Sequence, residues 1–135
     1  MNLQEGIFWL ILTVFLEGRD QPVKGQKNIA KIILNRAEKK QWPLEDVIFA
    51  RKQFSCYNKG LMTAFQSVVT EYRYIKAVTK SVQDALDEWH EGDNLNGATH
   101  YFNPKLVAGG WPSTWDKKKM RVISREEDHV FLIEI

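Results

Sequence analysis

The chain has a single cysteine, Cys56, among its 135 residues. No internal disulfide can form, and the paired-cysteine knuckles of structural zinc sites are excluded. Cys56 as a nucleophile needs a base that nothing in the sequence places beside it, so a buried free thiol is the expected role. Histidine is scarce too. His90, His100 and His129 stand far apart with no H-x-x-x-H pair, so the ligand spacing of a catalytic zinc is missing, and neither metal nor cofactor is expected. Ser55 sits in no G-x-S-x-G turn. Zinc-finger, helix-turn-helix and RGG-like patterns are absent, which leaves no support for a nucleic-acid partner. Repeats and low-complexity segments are also lacking.

No apolar run is long enough to cross a bilayer. The longest, residues 7–16, has the length of a signal core. It is preceded by Glu5 rather than a positive residue, and no small-residue cleavage site comes after it. We expect a core helix, no membrane span and no export signal. Neither sign of charge dominates, since the net charge is only +2. That mild excess suits an anionic polymer without choosing one.

What the chain does have is the balance of a folded protein. With 44% apolar and 27% charged residues, disorder is excluded, and one domain over 1–135 is expected. The apolar run predicts a helix over 3–16, with Asn2 as N-cap, and helical periodicity predicts one over 22–39, with Pro22 in the first helical position. A short helix is predicted over 43–49 and an extended loop or short strand over 52–57. Residues 63–91 read as one long helix or two joined ones, closed by Gly92. A turn-rich linker, 93–97, leads to an extended piece over 98–102. The tail reads as a hairpin, strands 120–124 and 129–135 joined by the four residues 125–128. Helices first and hairpin last make an α+β class, mostly helical with a small C-terminal sheet.

Glu17 is the residue around which this pattern turns. It ends an apolar helix and precedes a turn made by Gly18, Asp20 and Pro22. Desolvation on its packed side and the negative end of the helix dipole both raise a carboxyl pKa. That is the requirement for a general acid near neutrality. The plainer reading is a solvated helix-end residue. Gln53-Phe54-Ser55-Cys56 mixes an amide, an aromatic ring and a hydroxyl, the combination that holds sugars, or is simply a loop capping its own backbone. Lys117-Lys118-Lys119 with Arg121 is either a solvated face or a contact for the phosphates or carboxylates of a polymer.

The segment Glu17, Arg19, Pro22, Gly25, Gln26, then Leu34-Asn35-Arg36, is similar to the catalytic-domain signature of the SleB-type cell-wall hydrolases, which include the spore-cortex-lytic enzymes. Asp20 and Gln21 stand where that signature has glycine and a second acidic residue. Gln53-Phe54-Ser55-Cys56 matches the family's Q-F-S-C, and Gly97-Ala98-Thr99-His100-Tyr101 with Asn103-Pro104 resembles its G-A-T-H-Y region. Trp115, Met120 and His129-Val130-Phe131 come in family order, but the loop before His129 is longer and charged where the family has a glycine.

The resemblance implies a lysozyme-like fold with Glu17 as the catalytic acid. It implies a cleft bordered by Gln53, Phe54, Ser55, His100, Tyr101, Asn103 and His129. The implied substrate and partner is the peptidoglycan glycan strand, cut by a monomer at the MurNAc–GlcNAc β-1,4 bond, in the manner of a lytic transglycosylase. Asp20 is the candidate second carboxylate if the reaction is a hydrolytic muramidase instead. An N-acetylmuramoyl-L-alanine amidase and a non-catalytic wall-glycan-binding domain are the other readings. Delivery to the wall by a phage lysis or virion system is expected.

Overall fold

The computed structural model describes residues 3–50, 57, 59–126 and 129–135. Asn2 and the Gln53, Phe54, Ser55 and Cys56 segment lie outside the described residues. Helix α1, Leu3–Gly18, delivers Leu10, Val14 and Phe15 to the core, all fully buried. Helix α2, Val23–Lys40, begins after Pro22, which takes the N-cap position rather than the expected first helical one. Its carbonyl accepts from Gln26 N at 3.1 Å, so the ring's missing N–H does no harm there. At the far end Gln41 turns left-handed, with φ of 57°, and its N–H closes on the carbonyls of Ala37 and Glu38.

Helix α3, Leu44–Ile48, comes directly after Pro43. The long periodic stretch resolves into two helices, α4 (Leu61–Thr70) and α5 (Ile75–His90), joined by a 3₁₀ turn at Tyr72–Tyr74. Among the described residues, no helix is long and apolar enough to cross a membrane.

Three strands complete the chain: β1 (His100–Phe102), β2 (Met120–Glu126) and β3 (His129–Glu134), all antiparallel in the order β1-β3-β2. The hairpin is tighter than its charge pattern suggested. Arg125 and Glu126 pair with Val130 and His129, so both belong to the strand rather than to the expected four-residue loop. Charged residues read as loop in sequence, but on the edge strand β2 Arg125 is exposed and Glu126 reaches Asn28 and Lys24 of α2. An irregularity between Val122 and Ser124 leaves Ile123 as the extra residue of a bulge.

α2 lies at the middle of the molecule. One side joins α1, α3 and α5 through Ile29, Ala30, Ile33 and Leu34. The other meets the sheet where Ile32 packs with Ala98 and Phe131. A second apolar layer, Phe102, Val130 and Leu132 with Trp111 and Trp115, covers the sheet's outer face. The mostly helical body with its small antiparallel sheet is the class expected from the sequence.

Candidate active site

Glu17 occupies the last turn of α1 and is half-buried. The turn after it is held firmly at two points. Gly18 is buried against α2, where an added Cβ would stand 2.8 Å from Ile29 Cδ1 and push that side chain aside. Gln26, itself buried, reaches back from the first turn of α2. Its Nε2 donates to the carbonyls of Gly18 at 3.0 Å and Gln21 at 3.3 Å, while its Oε1 accepts from Ser81 Oγ at 2.7 Å. One amide thus ties the turn after Glu17 to both α2 and α5.

Arg19 supplies a second clamp. Its Nη1 donates to the Leu16 carbonyl at 3.2 Å, meeting an orphan acceptor at the end of α1. Its Nε and Nη2 grip the Glu71 carboxylate at 2.7 and 3.2 Å, a two-pronged pair that joins α1 to the α4–α5 junction. The hydrogen bond from Arg19 holds the Glu71 carboxyl below its usual range, and Glu71 raises the Arg19 guanidinium in turn. Asp20, the candidate second carboxylate, is exposed in the turn, and its charge helps to raise the pKa of Arg19.

The sheet sorts the other candidates by face. Tyr101 and His129 stand together, their rings 5.1 Å apart and edge-on, with Phe131 beside them on the face toward α2. Tyr101 also packs against the main helical core. His100 points the other way and is buried. Thr99 Oγ1 lies 2.9 Å from its Nδ1, and Trp115 meets its ring edge-on at 4.9 Å. Burial first, then the charges of Arg36, Lys39 and Lys40, push its pKa down to about 3, so it is neutral at neutral pH. Asn103 spends its Oδ1 on the backbone N of Lys105, capping the 3₁₀ turn Pro104–Leu106. Of the candidates, Tyr101 and His129 are therefore brought together, while His100 and Asn103 are engaged in holding the sheet's other face and its exit turn.

Gln26, Asn35 and Arg36 appear in the sequence as letters of the signature without a role, and the structure makes them supports. Asn35 Nδ2 donates to the carbonyls of Asn94 and Ala98, both at 2.8 Å, and its Oδ1 accepts from Trp89 Nε1 at 2.8 Å. Arg36 Nε donates to the Thr99 carbonyl. Burial lowers the Arg36 pKa to about 10, which leaves it charged at neutral pH. The Asn35-Arg36 pair thereby fixes the chain entering β1, and so Tyr101. The signal was present: Gln26 falls in the same stripe as Ile29 and Ile33, where a polar residue is buried with a partner. Among the described residues no group of His, Cys, Asp and Glu gathers to hold a metal.

A sequence model of the cell wall hydrolases matches residues 20–132. The chain belongs to the cell wall hydrolase family. Glu17 lies just ahead of that span. The chain is 29% identical over 130 residues to a spore cortex-lytic enzyme of Bacillus cereus, covering 95% of this chain and 44% of that protein. It is 27% identical over 124 residues to the spore cortex-lytic enzyme of Bacillus subtilis, covering 90% and 35%. The chain thus spans less than half the length of these curated relatives. The catalytic domain of the germination-specific lytic transglycosylase SleB from Bacillus anthracis superposes with a TM-score of 0.64 at 26% identity, covering 95% of this chain and 93% of that domain. The family's fold therefore extends over nearly the whole chain.

Proposed function

We propose that this chain cleaves peptidoglycan glycan strands at the MurNAc–GlcNAc β-1,4 bond as a lytic transglycosylase, with Glu17 as both acid and base. The observation that supports this is the clamped end of α1. Gln26 and Arg19 fix the turn on either side of one half-buried carboxyl group, which suits a group that must hold its place through a reaction.

In the first half-reaction the Glu17 carboxyl gives its proton to the glycosidic oxygen, and the C1–O bond breaks with the electron pair leaving on that oxygen. The muramic acid C6 hydroxyl then attacks C1, and the Glu17 carboxylate takes the hydroxyl proton. The products are a new GlcNAc 4-hydroxyl and a 1,6-anhydro muramic end. Glu17 finishes protonated, and no water is consumed. Gln21 stands where the family signature has its second acidic residue, which favours a route needing one carboxylate. The water-using alternative rests on Asp20, the exposed carboxylate of the same turn.

Glu17→Gln keeps the side chain's shape and removes its titration. The variant is expected to keep the melting temperature and to lose about 10²–10⁴-fold in release of soluble wall fragments. Wild-type turnover by the variant contradicts the proposal. Unchanged wall binding without any turnover in the wild type points to the glycan-binding domain instead.

A further inference from the structure

Positive and negative side chains are nearly balanced in number but not in space. Along the first half of α2 the cations have partners: Lys24 with Glu126, Lys27 with Glu88, and Lys31 with Glu88 and Asp93. At the other end of α2 the pairing stops. Lys39 donates to a backbone carbonyl, that of Glu134, and Lys40 lies over the Trp42 ring at 4.8 Å.

Two further elements bring cations to the same place. The 3₁₀ turn Lys117–Lys119 is exposed, and the Ile135 N–H donates to the Lys119 carbonyl at 2.8 Å, which sets that turn against the end of β3. Arg121 lies on the edge strand opposite Ile133, one residue from the Glu134 carbonyl that holds Lys39. Lys39, Lys118, Lys119 and Arg121 are all exposed, and none is in an ion pair among the described residues. The carboxylates at this end are fewer: Glu38, Glu134 and Asp116, the last already accepting from Lys118 N at 2.9 Å. The depressed pKa of His100, to which Lys39 and Lys40 contribute, reports the same positive field from inside.

A charged turn alone is usually a solvated face. Here three separate elements converge, and cations gathered in excess of the carboxylates around them favour an anionic partner. On α2, Lys39 lies about 20 Å along the helix from Gln26, which holds the turn after Glu17. The surface lies at the opposite end of α2 from the Glu17 turn.

We propose that this end of the molecule is a docking surface for a polyol-phosphate polymer, a flexible chain of phosphodiesters, in the bacterial wall. Lysines dominate the patch, and their mobile point charges suit a flexible phosphate chain better than a fixed two-pronged geometry. Trp111 is packed edge-on against Phe102 and Trp115 beneath Lys117, so it offers no platform for stacking bases. The choice of a wall polymer among polyanions rests on the proposed wall-glycan activity; the existence of the surface does not.

The test measures binding of wild type and of a Lys118→Gln/Lys119→Gln/Arg121→Gln variant to poly(glycerol phosphate), to duplex DNA and to an uncharged glucan. Cleavage of soluble uncharged glycan fragments is assayed separately. Wild type should bind poly(glycerol phosphate) in a salt-sensitive manner and ignore the glucan, with the triple variant about tenfold weaker at low salt. Melting temperature and fragment cleavage should not change in the variant. Lys39→Gln, on a different element, should weaken binding about two- to threefold. Equal binding by wild type and the triple variant, or no binding by wild type, overturns the proposal. Binding of DNA as tight as that of the polyol phosphate overturns the choice of partner. Binding to the polymer without cleavage of any glycan sinks the catalytic reading and leaves this surface standing.

Discussion

Helices α2 and α4 invert the usual relation between composition and burial. α2 is rich in Lys, Asn, Gln and Arg, and twelve of its eighteen residues are buried. α4 has no charged residue, and one of its ten residues is buried, Ala64. Met62 and Val69 on α4 are 81% and 69% exposed. The difference lies in what each helix holds. Every buried polar side chain of α2 reaches another element: Gln26 the turn after Glu17, Asn28 Glu126, Lys31 Glu88, Asn35 the 94–98 approach, Arg36 the start of β1. The hydroxyls of α4 donate to its own preceding turn, Ser67 to Thr63 and Thr70 to Gln66. Its link to the site is through the residue after it, Glu71, bound by Arg19. Burial in this protein tracks the duty of positioning loops, and a polar residue fully partnered serves that duty better than an apolar one.

The contrast between the two helices breaks most visibly at Gln26. Gln26→Ala removes the donor to the Gln21 carbonyl, one of two donors to the Gly18 carbonyl and one of two acceptors of the Ser81 hydroxyl, and leaves a small void. We expect a loss of about 2–4 kcal/mol in denaturant unfolding, with wall cleavage falling further than stability alone explains. A stability change below about 0.5 kcal/mol would show that the clamp is ornamental.

A smaller loss is expected at Glu88, whose carboxyl is held down to about 2 by hydrogen bonds from Lys27 and then Lys31. Glu88→Gln leaves the buried Lys31 with Asp93 alone, at 3.3 Å, and should destabilise by about 1–2 kcal/mol at neutral pH. Because the folded pKa lies below the ordinary carboxylate value, this contribution is complete above that value. It is lost as pH falls toward about 2, so the gap between wild type and variant should close on acidification. A gap that widens with acid contradicts the assignment. The smallest effect belongs to α4, where Val69→Thr should change stability by no more than about 0.5 kcal/mol in thermal melts.

Much of this was legible in the chain. An apolar run marked α1, periodicity marked α2 and the 63–91 stretch, Pro43 with its acidic first turn marked α3, and the strand signal at the tail marked the hairpin. The 3₁₀ turns were not legible, since three residues are too few to show a period. Nor were the partners of Gln26, which pair residues eight and fifty-five positions apart. The histidine-tyrosine step in β1 shows the limit most clearly. The motif names His100 and Tyr101 together, but adjacent strand residues face opposite ways, and only the pairing with β3 reveals that Tyr101 looks toward α2.

The central claim is that Glu17 works without water or a second carboxylate, and the ends of the product decide it. Peptidoglycan digested by the protein, reduced with borohydride and weighed by mass spectrometry, should carry 1,6-anhydro muramic ends that take up no hydrogen. Reducible muramic ends as the main product would contradict the transglycosylase route and move Asp20 to the centre, and free peptide on uncut glycan would contradict glycan cleavage altogether.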